Sequence, residues 1–173
     1  MKKILLFSAI TAIAYTLNAQ SWNIGGNVGT NDATHFLGTT DSKTLNFRVN
    51  NQKAGRIDHI KKSVFLGYLA GNATTDTANT GIGHQALFSN TKGIGNTAIG
   101  SAAMVFNTTG YNNTATGSQA LYSNTTGYFN TANGSNALSF NTTGISNTAN
   151  GYAALVANIT GSYNTASGTF ALF

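Results

Sequence analysis

The chain has 173 residues, with twenty Gly, no Pro, no Cys and only 8% charged residues. The absence of Cys excludes a disulfide framework and thiolate metal sites, and the charged fraction is far below the quarter or so usual in soluble domains. Yet 41% of residues are hydrophobic, and Leu, Ile, Phe and Tyr recur at regular intervals, which fits a packed solenoid better than a disordered tract.

Residues 1–19 read as a secretory signal. Lys2 and Lys3 form the positive start, Ile4 to Leu17 the apolar run, and Ala19 the small residue before a mature start at Gln20. The run is interrupted by Ser8, Thr11 and Thr16 and is shorter than the roughly 20 apolar residues a spanning helix needs. No membrane insertion is therefore expected after cleavage. Removing Lys2 and Lys3 takes the formal charge from +5 to +3. The remaining basic residues form no stripe with interleaved aromatics, so a nucleic-acid partner is not expected.

Residues 20–62 carry Asp32, Asp41 and Asp58 and six of the basic residues. Within "TLNFRVNNQKAGRID", Leu45, Phe47 and Val49 alternate with Asn46 and Arg48. Asn50-Asn51 suits the positive φ angles of a two-residue hairpin turn. "HFLGTTDSK" suggests a preceding strand and turn. The expectation is a small N-terminal β cap that covers the edge of the first coil of a solenoid. Residues 63–78 look like a degenerate copy of the repeat unit that begins at Asn79, with Gly67 slightly out of register.

From Asn79 to Phe173 a 17-residue unit repeats, N-T-A-x-G-x-x-A-[LM]-x-x-N-T-T-G-x-x, in five full copies and a truncated sixth. The unit is too short for a helical hairpin repeat. Two short strands, T-A-x-G-x and x-A-L-x, joined by two turns fit the length, giving an all-β fold, a parallel β-roll or β-solenoid. Coils stacked about 4.8 Å apart make a stack of roughly 30 Å. N-T-T-G supplies one turn, with Asn107, Asn124 and Asn141 bonding their own backbone and Gly110, Gly127 and Gly144 supplying positive φ. Leu87, Met104, Leu121, Leu138, Leu155 and Leu172 are the expected core ladder, with a thin Ala column beside them. Recurring Asn suits amide ladders along the stack.

Two variable columns stay bulky. Phe88, Val105, Tyr122 and Val156 belong to one, Tyr111 and Tyr128 to the other. An aligned apolar stripe on a solenoid is an expected interface, either against sister chains in a homo-oligomer or as an aromatic face that meets a ligand.

Lys92 is the only charged residue between Asn79 and Phe173. Paired-carboxylate catalysis has no groups to use there, and a calcium-binding roll lacks its Asp ligands. His35, His59 and His84 lack metal-ligand spacing. No cofactor and no enzymatic activity are expected. Asn107-Thr-Thr, Asn124-Thr-Thr and Asn141-Thr-Thr are glycosylation sequons by pattern.

"NTAIGSAAM" (96–104) is similar to the head repeats of trimeric autotransporter adhesins. The wider layout, from "WNIGGNVGTNDATHFLGTTDSKTLNFRVNNQKAGRID" through "VFLGYLAGN" to "NTAIG", looks like secreted or surface tail-fibre-like proteins of Bacteroidota. These resemblances imply a trimeric β-roll at a bacterial surface, and in the second group a C-terminal intramolecular chaperone. The sequence stops at "GTFALF" within a coil, with no heptad stalk, anchor barrel or chaperone, so a fragment of a longer protein or a truncated product is expected. The functional expectation is a secreted or cell-surface adhesive segment, a homotrimer whose host, surface or glycan ligand the sequence does not name. An ice- or polysaccharide-binding solenoid is the alternative. Ice favours a regular T-x-T array, which within the strands only Thr114-Ala115-Thr116 shows.

Overall fold

The computed structural model describes residues 38–173. The expected signal, and the strand suggested by "HFLG" before Gly38, fall outside those residues. The described part is all-β, with nine strands in one sheet in chain order. The strands are β1 (Leu45–Val49), β2 (Gln52–Asp58), β3 (Ser63–Leu66), β4 (Thr80–Ile82), β5 (Thr97–Ile99), β6 (Thr114–Thr116), β7 (Thr131–Asn133), β8 (Thr148–Asn150) and β9 (Thr165–Ser167). β1, β2 and β3 pair antiparallel, and from β3 onward every pair is parallel. Each step adds one coil, so the body is a β-solenoid whose coils repeat at 17 residues.

The hairpin β1–β2 turns on Asn50 and Asn51, with φ of 46° and 56°, the double positive φ of a type I′ turn. β2 lies against β3, so the sheet edge of the first coil is paired rather than open.

Each coil contains one strand, not two. The segment x-A-L-x, expected to be extended, runs as overlapping turns. In the coil after β5, Ala103 N–H donates to Gly100 O at 3.4 Å and Asn107 N–H to Met104 O at 3.2 Å. The intervening N–H groups leave the coil: Ala102 donates to His84 O at 2.8 Å and Met104 to Ala120 O at 3.0 Å. Ala102 and Met104 sit at φ of 55° and 53°. Alternating positive φ folds the chain back on itself and sends every second N–H to a neighbouring coil. A strand cannot form under that alternation, but the backbone bonds are still satisfied. Left-handed φ at a non-glycine residue costs on the order of 1 kcal/mol. Complete burial of a Leu returns about 1.5–3 kcal/mol, so burial prevails at Leu87, Leu121 and Leu138, all 0% exposed.

The first coil departs from the pattern by a compensating exchange. Its Leu-column position is Gly71, at φ 57°. Its inward strand position is Phe65, where β5 to β9 have Ala. The Phe65 ring, 0% exposed, fills the space the missing Leu leaves: a Cβ on Gly71 would overlap the ring, and one on Gly81 would lie 2.8 Å from it. The same coil is one residue short. Gly67 lies over Gly83, sixteen residues on, while Asn79 lies under Asn96 at the full period. This accounts for the register slip at Gly67.

The stacking predicts how the chain tolerates deletion. Removing residues 113–129, one whole period, rejoins identical joints. The variant is expected to keep β-rich circular dichroism and a cooperative urea transition. Removing only 114–129 leaves one extra residue in the joint, and a clear fall in the urea midpoint is expected.

Candidate functional site: buried ladders and the outer columns

The interior of the middle coils is lined by Ala from the strand (Ala98, Ala115, Ala132, Ala149), Ala and Leu or Met from the turn segment, and two asparagines, all essentially unexposed except the part-buried Asn158. One Asn column is Asn79, Asn96, Asn113, Asn130, Asn147 and Asn164. Along it, each amide oxygen accepts from both the side chain and the backbone N–H of the next coil's Asn. The Nδ2 and backbone N of Asn113 lie 3.1 and 3.0 Å from Asn96 Oδ1. The other column is Asn90, Asn107, Asn124, Asn141 and Asn158. Asn124 Nδ2 donates to Asn107 Oδ1 at 2.7 Å, and Asn141 Nδ2 to Asn124 Oδ1 at 2.9 Å.

The two columns meet at the N-T-T-G glycine. Gly127 O accepts from Asn113 Nδ2 at 2.9 Å and from Asn124 Nδ2 at 3.0 Å. Gly110 O and Gly144 O do the same, from Asn96 and Asn107 and from Asn130 and Asn141. The first Thr of the turn adds a hydroxyl ladder, with Thr108 Oγ1 donating to Thr125 O at 3.0 Å and Thr125 Oγ1 to Thr142 O at 3.0 Å. Burying an unpaired amide costs about 1–3 kcal/mol; here each amide is satisfied through the stack.

This corrects the expected role of Gly110, Gly127 and Gly144. They do not take positive φ. Glycine is required because a Cβ at Gly127 would overlap Asn124 Oδ1 and lie 2.5 Å from Gly144 O. The positive φ belongs to the other series, Gly83 to Gly168, at 124° to 137°. The sequons are also closed: Asn107, Asn124 and Asn141 are 0% exposed and fully engaged, so they are not acceptors in the folded chain.

In the expected core ladder, Met104 and Leu155 are buried with the three fully enclosed leucines, but Leu172 is 64% exposed. Leu172 lies in the last coil of the stack, with a neighbour on one side only. Of the expected interface columns, Tyr111 remains exposed and the two valines need correction. Val105 and Val156 are 6% and 8% exposed, covered by their own chain. Phe88 and Tyr122 are half-buried, and Tyr122 packs edge-to-face with Phe106 at 5.0 Å. Tyr111 and Tyr128 stack at 4.6 Å with planes 7° apart, and Phe129 meets both nearly perpendicularly at 5.5 and 5.4 Å. On the sides where Tyr111 and Tyr128 face each other, neither ring is open to a ligand.

The outward face of the sheet was not expected from the sequence. Alternation along each strand turns Val64 and Leu66, Thr80 and Ile82, and Thr97 and Ile99 outward, with Leu66 43%, Ile82 38% and Ile99 40% exposed. The signal was present as period-two patterning in "SVFL" and "TAI", too short to register alone. Beyond β5 the same positions become Thr114 and Thr116, Thr131 and Asn133, Thr148 and Asn150, and Thr165 and Ser167.

On the inward face of the hairpin, the Arg56 guanidinium lies 4.8 Å from the Phe65 ring centroid, a cation–π contact that strengthens as water is removed. Among the described residues its buried Nε and Nη2 have no hydrogen-bond partner. Burial, with Arg56 and Arg48 nearby, lowers the Lys53 amine from its usual range; Lys53 Nζ donates to Asn72 O at 2.6 Å. Among the described residues no group of three His, Cys, Asp or Glu side chains could hold a metal ion.

The ladders predict which residues tolerate change. Asn124→Ala leaves partners on Asn107 and Asn141 unsatisfied, at about 1–3 kcal/mol each. Asn158→Ala, at a part-buried position, is expected to lower the urea midpoint less. Gly117→Ala places a Cβ against the Gly134 backbone at φ 133° and is expected to lose more than the roughly 1 kcal/mol typical of point mutations. Comparison with known proteins adds no relative: no family model, no curated protein and no solved structure matches the chain.

Proposed function

We propose that the chain is a non-enzymatic, structural or adhesive segment of a secreted or cell-surface protein, working as a homotrimeric head or fibre. The observation that carries this reading is the division of labour within each coil. From β5 to β8 the inward positions of the coils are occupied by ladder residues, and in the first described coil the Phe65 ring takes that place, so the interior holds the stack together. Most of what varies from coil to coil lies outside, on columns that carry a single charge, Lys92, and repeat at a fixed rise. Such a surface suits many weak, equivalent contacts along an extended partner rather than one deep site. Stacked identical coils resist bending, because distortion at one joint breaks hydrogen bonds in both Asn columns at once.

A polysaccharide or ice surface is the second reading, favoured by one observation. Thr80, Thr97, Thr114, Thr131, Thr148 and Thr165 pair directly across six neighbouring strands. Thermal hysteresis and binding to insoluble polysaccharide test it.

For the main reading, sedimentation equilibrium of residues 20–173 is expected to give three times the chain mass at micromolar concentration. A monomer at the highest soluble concentration would overturn the homotrimer. Turnover of glycans by the purified chain would overturn the non-enzymatic assignment.

A further inference from the structure

Every joint between coils uses the same set of hydrogen bonds. The first described coil, residues 63–79, has the β1–β2 hairpin before it in place of another coil. Its polar groups on that side nevertheless find partners, drawn from residues 53–63.

Carbonyls of the hairpin answer the N–H groups. Gly67 N–H donates to Ala54 O at 2.9 Å and Leu69 N–H to Lys53 O at 2.8 Å, as Gly83 and Gln85 donate to Leu66 O and Tyr68 O one coil on. Ala78 N–H donates to Lys61 O at 2.7 Å, as Gly95 N–H donates to Thr77 O. Ser63 Oγ accepts from Asn79 N–H at 3.1 Å, the place that Asn79 Oδ1 takes for Asn96 N–H.

The carbonyls of the turn segment are harder to satisfy. β2 pairs along β3, and among the described residues no backbone N–H donates to Asn72 O or Thr75 O. These two carbonyls match Phe88 O and Thr91 O of the next coil, which accept from Ala73 N–H at 3.1 Å and Thr75 N–H at 3.4 Å. In the first coil the donors are side chains. Lys53 Nζ lies 2.6 Å from Asn72 O, and Lys61 Nζ donates to Thr75 O. A tight turn aims Lys61: its own N–H donates to Asp58 Oδ1 at 3.0 Å, and Lys62 takes a φ of 51°.

We propose that Lys53 and Lys61 close this end of the solenoid. Their ammonium groups stand in for two backbone N–H donors of an absent coil, and they keep the end from taking up a strand or coil of another chain.

The chemistry of the ammonium suits that task. A row of free carbonyls and N–H groups is a template for a further strand, and lysine is among the residues that blunt such edges. An ammonium has three donors and no acceptor. It satisfies a carbonyl without presenting the alternating donors and acceptors that the next strand would pair with. Backbone donors in the same place would only move the open edge one coil further out. Charge acts in the same direction. Burial, then Arg56 and Arg48, lower the Lys53 amine from its usual range, so global stability does not explain a lysine there. A second copy meeting this end with its own hairpin would set Arg48, Lys53, Arg56 and Lys61 against their own kind.

The test removes the donors and keeps the stems. Lys53→Met with Lys61→Met is compared with Lys53→Arg with Lys61→Arg, which retains donors at both places. Lys43→Met with Lys62→Met, at exposed sites, removes the same charge without touching either carbonyl. Amide hydrogen exchange and sedimentation velocity are measured on the purified chain, each variant against the parent's own state of association. In the first pair, the Ala73 and Thr75 amides are expected to exchange several-fold faster, while those of Leu121 and Leu138 keep the parent rate. Species at multiples of the parent mass are expected to appear. The arginine pair and the Lys43–Lys62 pair are expected to match the parent in both. Where the first pair fails to give the parent's far-UV circular dichroism, Lys61→Met alone is measured. Parent exchange rates at Ala73 and Thr75 in the methionine variants would overturn the role of the lysines on the carbonyls. Faster exchange with unchanged sedimentation at the highest soluble concentration would overturn the closure against other chains. The same changes in the Lys43–Lys62 pair would trace the effect to net charge and overturn both.

Discussion

The structure depends on one interaction, the side-chain amide hydrogen bond between asparagines in register. A primary amide carries donor and acceptor together, so Asn113 can accept from the coil after it while donating to the coil before it. Each column thereby continues without changing residue type. An interior this narrow leaves no room for water, and every polar group in it must find a protein partner. That requirement fixes the spacing of Asn, forces glycine where the two columns converge, and holds the period at 17 residues. Leu and Ala fill what remains. A Gln reaches too far and a Ser lacks the second donor, which is why the same residue returns coil after coil.

Size is conserved around the interior even where identity is not. At the first coil Phe65 and Gly71 together do the work that Ala and Leu do elsewhere, and Arg56 lies over the ring from the hairpin. The stack therefore begins with a unit built on different side chains but to the same internal volume. This is how an antiparallel hairpin is joined to a parallel array without a void between them.

Much of this was legible in the residues. A strict period with Gly and Asn in fixed columns determines a stacked β coil, and Asn50-Asn51 determines the hairpin. The buried Leu column and the amide ladders follow from recurrence alone. What escaped was local backbone conformation. Leu and Met are poor residues for positive φ, so Met104 at 53° is not a conformation their chemistry announces; burial imposes it. The role of Gly127 was misread for the converse reason. Glycine in a turn suggests conformational freedom, whereas here the side chains of Asn124 and Asn141 leave no space for a Cβ. The outward aliphatic face was hidden by strand length, since three residues give an alternation too brief to stand out. The bulky columns drew attention because they are aromatic, yet Val105 and Val156 fold inward between neighbours.

The Asn amides also have a direction. In both columns the Nδ2 of the later coil donates to the Oδ1 of the earlier one, from Asn96 onto Asn79 and from Asn107 onto Asn90 through to Asn164 onto Asn147 and Asn158 onto Asn141. The backbone bonds between coils run both ways, with more donated toward the later coil than toward the earlier, and the Thr hydroxyl column runs with that majority, against the two Asn columns. Aligned amide dipoles add, as they do along a helix. The two Asn columns thus share one polarity of their own, positive toward the hairpin, which the Thr column and the backbone majority oppose.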